Sequence, residues 1–242
     1  MADQKAGVNL DDKSKTYLMF DRIAKTYDPL NRVLSMGIDN MWRRRMVKHL
    51  PEGESLALLD LATGTGDQLI EMCNREPRIT KALGMDMSEG MLEVGREKLK
   101  DHKLPEGTTL KTGDATDIPV EDASFDVTTI TFGIRNVNNV PASLREMHRV
   151  LRPGGRSLIL EFALPSNALF RGLYLLYFRR ILPFIGSIVS GDKHAYSYLN
   201  QSVEAFPYGD KFCDMMRDAG FQNVKATPLT FGIAMIYQGD KG

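Results

Sequence analysis

Apolar positions change their period along this chain, and the change divides it. Tyr17, Phe20, Ile23, Ala24 and Tyr27 recur at the spacing of one helix face. The pattern predicts a helix that Asp28-Pro29 breaks, then a second, basic helix over Met41–Leu50 carrying Trp42, Arg43, Arg44 and Arg45. From Ser55 onward short aliphatic runs alternate with helix-length amphipathic stretches, the pattern of a mostly parallel α/β sheet. Seven runs read as strands: Leu56–Leu61, Lys81–Met85, Thr108–Thr112, Phe125–Thr131, Arg156–Phe162, Asn223–Pro228 and Ile233–Gln238. Helices are expected over Asp67–Arg75, Ser88–Leu99, Pro141–Leu151 and Tyr208–Ala219, with Ser88 as an N-cap and Gly220 as a stop. Pro165–Phe206 does not fit the alternation and is rich in Phe, Tyr and Leu. We read it as a helical, functional insertion before the last strands.

Composition narrows the class. The 242 residues suit one α/β domain spanning 1–242, with 1–12 as a frayed polar tail rather than a secretory signal. The protein is therefore expected in the cytoplasm. Lys plus Arg and Asp plus Glu balance at 31 each, so no global field draws nucleic acid. Ala168–Val189 is the most apolar segment, but Arg171, Arg179, Arg180 and Pro183 interrupt it and argue against a membrane span. Cys73 and Cys213 stand 140 residues apart without metal-ligand spacing and read as reduced structural thiols; no metal is expected.

Candidate chemistry begins where the first strand ends, in Asp60-Leu61-Ala62-Thr63-Gly64-Thr65-Gly66-Asp67. Two glycines at a strand-to-helix turn let backbone approach a ligand, although a plain tight turn uses the same device. A third fingerprint glycine is replaced by Leu69, which disfavours a dinucleotide. Twenty-two residues after Gly64 the second strand ends at Asp86-Met87, where a carboxylate accepts from ribose hydroxyls in Rossmann-like folds or merely caps the next helix. The third strand ends in Gly113-Asp114-Ala115, suited to an adenine amino group or to an Asx turn. Together these elements point to adenosine without a diphosphate cradle.

Three further segments are specific: Tyr27-Asp28-Pro29-Leu30-Asn31 continuing through Ser35 to Trp42, Arg149 through Glu161-Phe162, and Thr131-Phe132-Gly133-Ile134-Arg135-Asn136. On these the chain resembles the menaquinone and ubiquinone biosynthesis C-methyltransferase family from about Tyr17 to the C-terminus. It departs from many members at Leu30, Asp39, Thr63 and Ala163. The resemblance implies a Rossmann-like class I methyltransferase that uses S-adenosylmethionine. It implies cofactor contacts at Thr65, Asp86, Asp114, Ala115 and Thr131, to which the motifs add Asp60, Thr63, Gly64, Gly66 and Met87.

The implied acceptor is a ring carbon of a prenylated quinol. A phenolate's ortho carbon is already nucleophilic, so catalysis needs alignment and stabilisation of the phenol oxygen. Arg135, just past the fourth strand, is the leading stabiliser, and Asn136 is placed to orient the same oxygen. Asp28, His194, Tyr196 and Tyr198 are candidate bases. Residues 165–206 are expected to cover the tail, with arginines suited to lipid headgroups at a peripheral membrane contact, or else to form a core helix or homodimer contact. Competing functions are benzoquinol C-methylation, O- or N-methylation of another small molecule, and a non-catalytic S-adenosylmethionine-binding scaffold. Arg145-Glu146-Met147-His148-Arg149 inclines the resemblance towards a naphthoquinol.

Overall fold

A computed structural model describes residues 13, 15–181 and 193–242, including their side chains except those of Leu30, Val33, Leu34, Phe178, Ile181 and 193–197. The predicted tail and Pro183 and Phe184 lie outside the described residues. Seven strands form one sheet in the order β3-β2-β1-β4-β5-β7-β6. They are β1 (Leu56–Leu61), β2 (Ile79–Asp86), β3 (Thr109–Thr112), β4 (Phe125–Thr131), β5 (Leu151–Phe162), β6 (Gln222–Leu229) and β7 (Ala234–Asp240). The first five are parallel, and β7 runs antiparallel between β5 and β6.

Every residue of β1 is buried, as a central strand covered on both faces requires. The order reverses at β1, where β2 lies on one side and β4 on the other, and ligands in such sheets bind beyond the carboxyl ends at that point. Helices α3 (Asp67–Arg75), α4 (Glu89–Leu99) and α5 (Val140–Val150) connect the parallel strands. Ser88 caps α4, its hydroxyl accepting from Met91 N at 3.2 Å. One core layer gathers Leu59, Ile130, Leu144, Phe212 and Tyr237; the other gathers Trp42, Leu58, Leu69, Leu92 and Leu158.

Three expectations need correcting. The proline of Asp28-Pro29 does not end the first helix: α1 runs from Thr16 to Ser35 with Pro29 inside it. Tertiary contacts override the local preference, because Asp21 and Asp28 are both bonded to α4 or the loop before α3. The following helix, α2 (Ile38–Met46), starts earlier than its basic stretch, after Met36 and Gly37 turn the chain at positive φ. Arg152–Gly155 is likewise no loop ahead of β5, since Leu151 pairs Phe125 and Arg156 pairs Val127, leaving Pro153-Gly154-Gly155 as an irregularity within the strand.

The described residues of the insertion are mostly helical. Helix α6 (Ala168–Leu176) continues into a π-turn at Tyr177–Ile181, and α7 (Lys193–Ala205) follows before α8 (Asp210–Asp218). No helix among the described residues is long and apolar enough to cross a membrane.

Pro29 offers a test of the continuous α1. If the helix runs through it, Pro29→Ala restores an i to i−4 hydrogen bond and should raise stability by about 1–2 kcal/mol after unfolded-state entropy is counted. Urea unfolding reads this directly; a loss of stability would mean that the chain needs a break there.

Candidate active site

The turn after β1 holds its shape through left-handed backbone at Ala62, Gly64 and Gly66, with φ of 45°, 56° and 81°. Its glycines differ in purpose. A side chain at Gly66 would press on Leu99 at 3.2 Å, whereas one at Gly64 would meet nothing within 4 Å and would project into the open cleft. Gly64 N donates to Asp86 Oδ2 at 2.8 Å and Ser88 N to Asp86 Oδ1 at 2.9 Å, so Asp86 ties the turn to the start of α4. Each carboxylate oxygen keeps accepting capacity for a ribose hydroxyl. Burial pushes this carboxyl above the ordinary range, against the pull of its backbone donors.

Asp60 lies deeper. It is 1% exposed, accepts from Thr129 Oγ1 at 2.5 Å and Thr63 Oγ1 at 2.6 Å, and burial raises its pKa to about 6. Thr63 therefore orients Asp60. No described cation forms an ion pair with Asp60 or Asp86. Two desolvated carboxylates without a described counter-charge suit a ligand that brings positive charge and hydroxyl donors.

The remaining residues divide by what they touch. Met87 follows Asp86 and is 41% exposed, a polarizable apolar surface suited to a flat aromatic base. Asp114 Oδ1 accepts from Thr116 N and Oγ1, both at 2.8 Å, forming the Asx turn, while Oδ2 makes no bond to a described residue. Ala115 is buried beside it. Thr131 is buried with its hydroxyl 3.5 Å from Met46 Sδ. Thr65 is only 2% exposed, and its hydroxyl donates to Asp28 Oδ1 at 2.7 Å.

That last bond belongs to a clasp on which the motif reading was silent. Lys98 on α4 lies 2.5 Å from both Asp28 and Asp67, and Asp21 accepts from Ser88 Oγ at 2.5 Å and Gly90 N at 2.9 Å. Helix α1 is thereby fastened beside the glycine turn. The signal was the seven-residue spacing of Asp21 and Asp28, which puts both on one helix face.

Beyond β4 the chain makes a 3₁₀ turn, Ile134–Asn136, after Phe132 at φ 56°. Arg135 is 5% exposed; its Nη1 donates to Glu161 Oε1 at 2.8 Å and to the Phe132 carbonyl at 2.5 Å, while its buried Nε has no partner among the described residues. Glu161 is fully buried on β5, and this ion pair was not foreseen from the sequence. Asn136 Oδ1 accepts from the Tyr198 hydroxyl at 3.1 Å. His194 and Tyr196 belong to α7, but their side chains lie outside the described residues.

Arg135 and Tyr198 face a cavity of about 370 Å³ walled by Met19, Phe20 and Tyr27 of α1, Trp42 of α2, Phe132, Phe162, and Phe170 and Leu173 of α6. Phe132 and Phe162 stack at 4.4 Å. The cavity is mostly apolar, with Asn31, Ser35, Asp39, Arg43 and Thr230 in its wall besides Arg135 and Tyr198.

The ubiE/COQ5 methyltransferase family model matches residues 9–241. The chain belongs to that family. A ubiquinone/menaquinone biosynthesis C-methyltransferase UbiE of Geotalea daltonii is 46% identical over 92% of this chain and 94% of its own length. Demethylmenaquinone methyltransferases of Deinococcus radiodurans and Bacteroides fragilis are 44% and 40% identical, each over 92% of this chain and 91% of their own. Among solved structures, a Thermotoga maritima methyltransferase described as a possible histamine N-methyltransferase superposes with a TM-score of 0.66 at 18% identity, covering 93% of this chain and 99% of that one. A Haemonchus contortus phosphoethanolamine N-methyltransferase in complex with S-adenosylhomocysteine reaches 0.67 at 15% identity, over 97% of this chain and 60% of that one. These two carry the fold, a Rossmann-like class I methyltransferase. The enzyme's methyl donor is S-adenosylmethionine.

The buried carboxylates yield two predictions. Asp86→Ala should weaken S-adenosylmethionine binding by about 1.5–3 kcal/mol in calorimetric titration; unchanged affinity would remove Asp86 from the site. Asp60 carries a sign that is easily checked. Its folded pKa of about 6 exceeds the ordinary 3.8, so the folded state is penalised progressively as pH rises from 3.8 to about 6 and stays penalised above. The penalty amounts to about 3 kcal/mol. Asp60→Asn should therefore melt higher than wild type at pH above 6 while binding the cofactor at least about tenfold more weakly. A lower melting temperature would show that the carboxylate stabilises the free protein.

Proposed function

We propose that the enzyme transfers the methyl group of S-adenosylmethionine to a ring carbon of a prenylated quinol, converting a demethylmenaquinol to a menaquinol. Relatives of that name at 40–44% identity support the acceptor. The observation that carries the reading is the apolar cavity whose wall holds Arg135, buried, with an unpartnered Nε–H. A ring with a long hydrocarbon tail fits the apolar walls, and a phenol oxygen fits the donor.

When bound, S-adenosylmethionine would supply an electrophilic methyl group on a sulfonium, with S-adenosylhomocysteine as the leaving group, and the methylated ring carbon would give up its hydrogen as a proton to restore the aromatic ring. The chain's own residues do the rest. Arg135 is the candidate catalytic group, its guanidinium donating to the phenol oxygen as negative charge grows there. Glu161 holds the guanidinium plane and offsets its charge, so Arg135 acts as an oriented donor more than as a free cation. Asn136 is fixed by Tyr198 beside it. Burial raises the pKa of Tyr198, which keeps its proton and donates. Asp28 is committed to Thr65 and Lys98. His194 and Tyr196 on α7 therefore remain the candidates for accepting the phenol proton. In this reading residues 165–206 cover the substrate, and the enzyme works in the cytoplasm at the inner face of the membrane.

A benzoquinol acceptor is the second reading, because the relative at 46% identity carries both pathways in its name. Incubation with labelled S-adenosylmethionine and each demethylated quinol, followed by product identification, separates the two. A methyl ether or amine in place of a ring C–methyl would defeat both.

Removing Arg135 tests the mechanism, but Arg135→Ala strands Glu161 in the core and should cost about 3–5 kcal/mol of stability. The informative variant is Arg135→Met with Glu161→Gln, which leaves no buried charge unpaired. It should fold, bind cofactor normally and turn over roughly 10²–10³-fold more slowly in single-turnover assays. Turnover near the wild-type rate would make Arg135 purely structural.

A further inference from the structure

We infer that the outer face of α6 and the adjoining Phe231 turn form a docking surface for an anionic phospholipid bilayer, through which a prenyl tail enters the cavity directly from the membrane. The tail rests on the quinol reading above; the surface rests on separate observations.

Leu169, Leu173 and Leu176 are spaced i, i+4 and i+7 on one face of α6 and are 72%, 57% and 59% exposed. Phe231 is 74% exposed and stacks on Phe170 at 5.0 Å with the rings 5° apart. Both Thr230 and Phe231 have positive φ, 43° and 58°, which residues other than glycine rarely adopt in succession. The turn is held by the Trp42 indole N–H donating to Thr230 Oγ1 at 2.8 Å. Backbone strain and a hydrogen bond from another element thus hold a large apolar ring out into solvent. Strain of this kind persists where a site uses it.

The patch is continuous with the cavity. Phe170, Leu173, Phe231 and Met36 line the cavity and are also exposed, by 44%, 57%, 74% and 75%, so they form its mouth. An isoprenoid chain leaving that mouth emerges among the leucines of α6 rather than into water.

Charge decides the partner. From Ala168 to Ile181 the chain carries Arg171, Arg179 and Arg180 and no acidic residue, although the whole protein is neutral. Arg179 pairs with Glu204 at 2.5 Å. Arg171 and Arg180 are exposed without an ion pair among the described residues. An exposed apolar stripe flanked by unpaired arginines matches a helix lying in a lipid interface, where anionic headgroups supply the counter-charge. A two-fold contact between copies would instead bring the same arginines together with no acid on the helix to meet them.

The test uses the full chain, phosphatidylcholine vesicles with or without phosphatidylglycerol, and the variant Leu169→Glu/Leu176→Glu, whose sites lie outside the cavity wall. Wild type should co-sediment with the anionic vesicles and much less with neutral ones, and the variant should bind at least about tenfold more weakly. With an unchanged melting curve, the variant should methylate a short-tailed, water-soluble quinol at the wild-type rate but lose turnover of a long-tailed quinol embedded in vesicles. Wild type that ignores both vesicle types, or a variant that binds them equally well, overturns the proposal. So does a variant that changes only the oligomeric state in light scattering, which would assign the face to a second copy. Failure of every protein to methylate either quinol would defeat the quinol reading alone, since vesicle binding is measured without substrate.

Discussion

The buried Arg135–Glu161 pair joins the two halves of this site. It fastens the turn beyond β4 to β5 at 2.8 Å, and it does so in a place with almost no water. A pair so placed demands good geometry, because each charge has lost its hydration. The requirement explains the strain at Phe132, whose carbonyl must face the guanidinium and whose ring must stack on Phe162. The same constraint fixes one wall of the apolar cavity and leaves the arginine's Nε–H buried without a partner among the described residues.

On the other side of β4 the electrostatics are reversed. Asp60 and Asp86 are carboxylates held by hydroxyls and backbone N–H groups instead of cations. The free protein bears the cost of burying both carboxylates without a counter-charge. Stability is conceded where binding energy is required, as is common at functional sites.

Much of this was legible in the sequence. The strands, the Gly64 turn and the carboxylate after β2 follow from period and spacing, which depend on neighbours within a few residues. Other features depend on partners far along the chain. Nothing near Arg135 announces Glu161, 26 residues on. Asp28-Pro29 reads locally as a stop, and only contacts from Thr65 and Lys98 make it the middle of a helix. Arg149, quoted above for its family pattern, holds the carbonyls of Ile118 and Val120 and the carboxylates of Asp122 and Glu146, a structural clamp that its local sequence does not distinguish from a functional one.

Helix α1 touches both compartments: Asp21 and Asp28 grip the start of α4 and the glycine turn, while Met19, Phe20 and Tyr27 line the apolar cavity. A shared wall has a thermodynamic corollary. Whatever free energy one occupant contributes to seating that helix is available in equal measure to the other, since linkage between two binding events is reciprocal. Donor and acceptor are thus coupled through that helix as well as through the reacting atoms themselves.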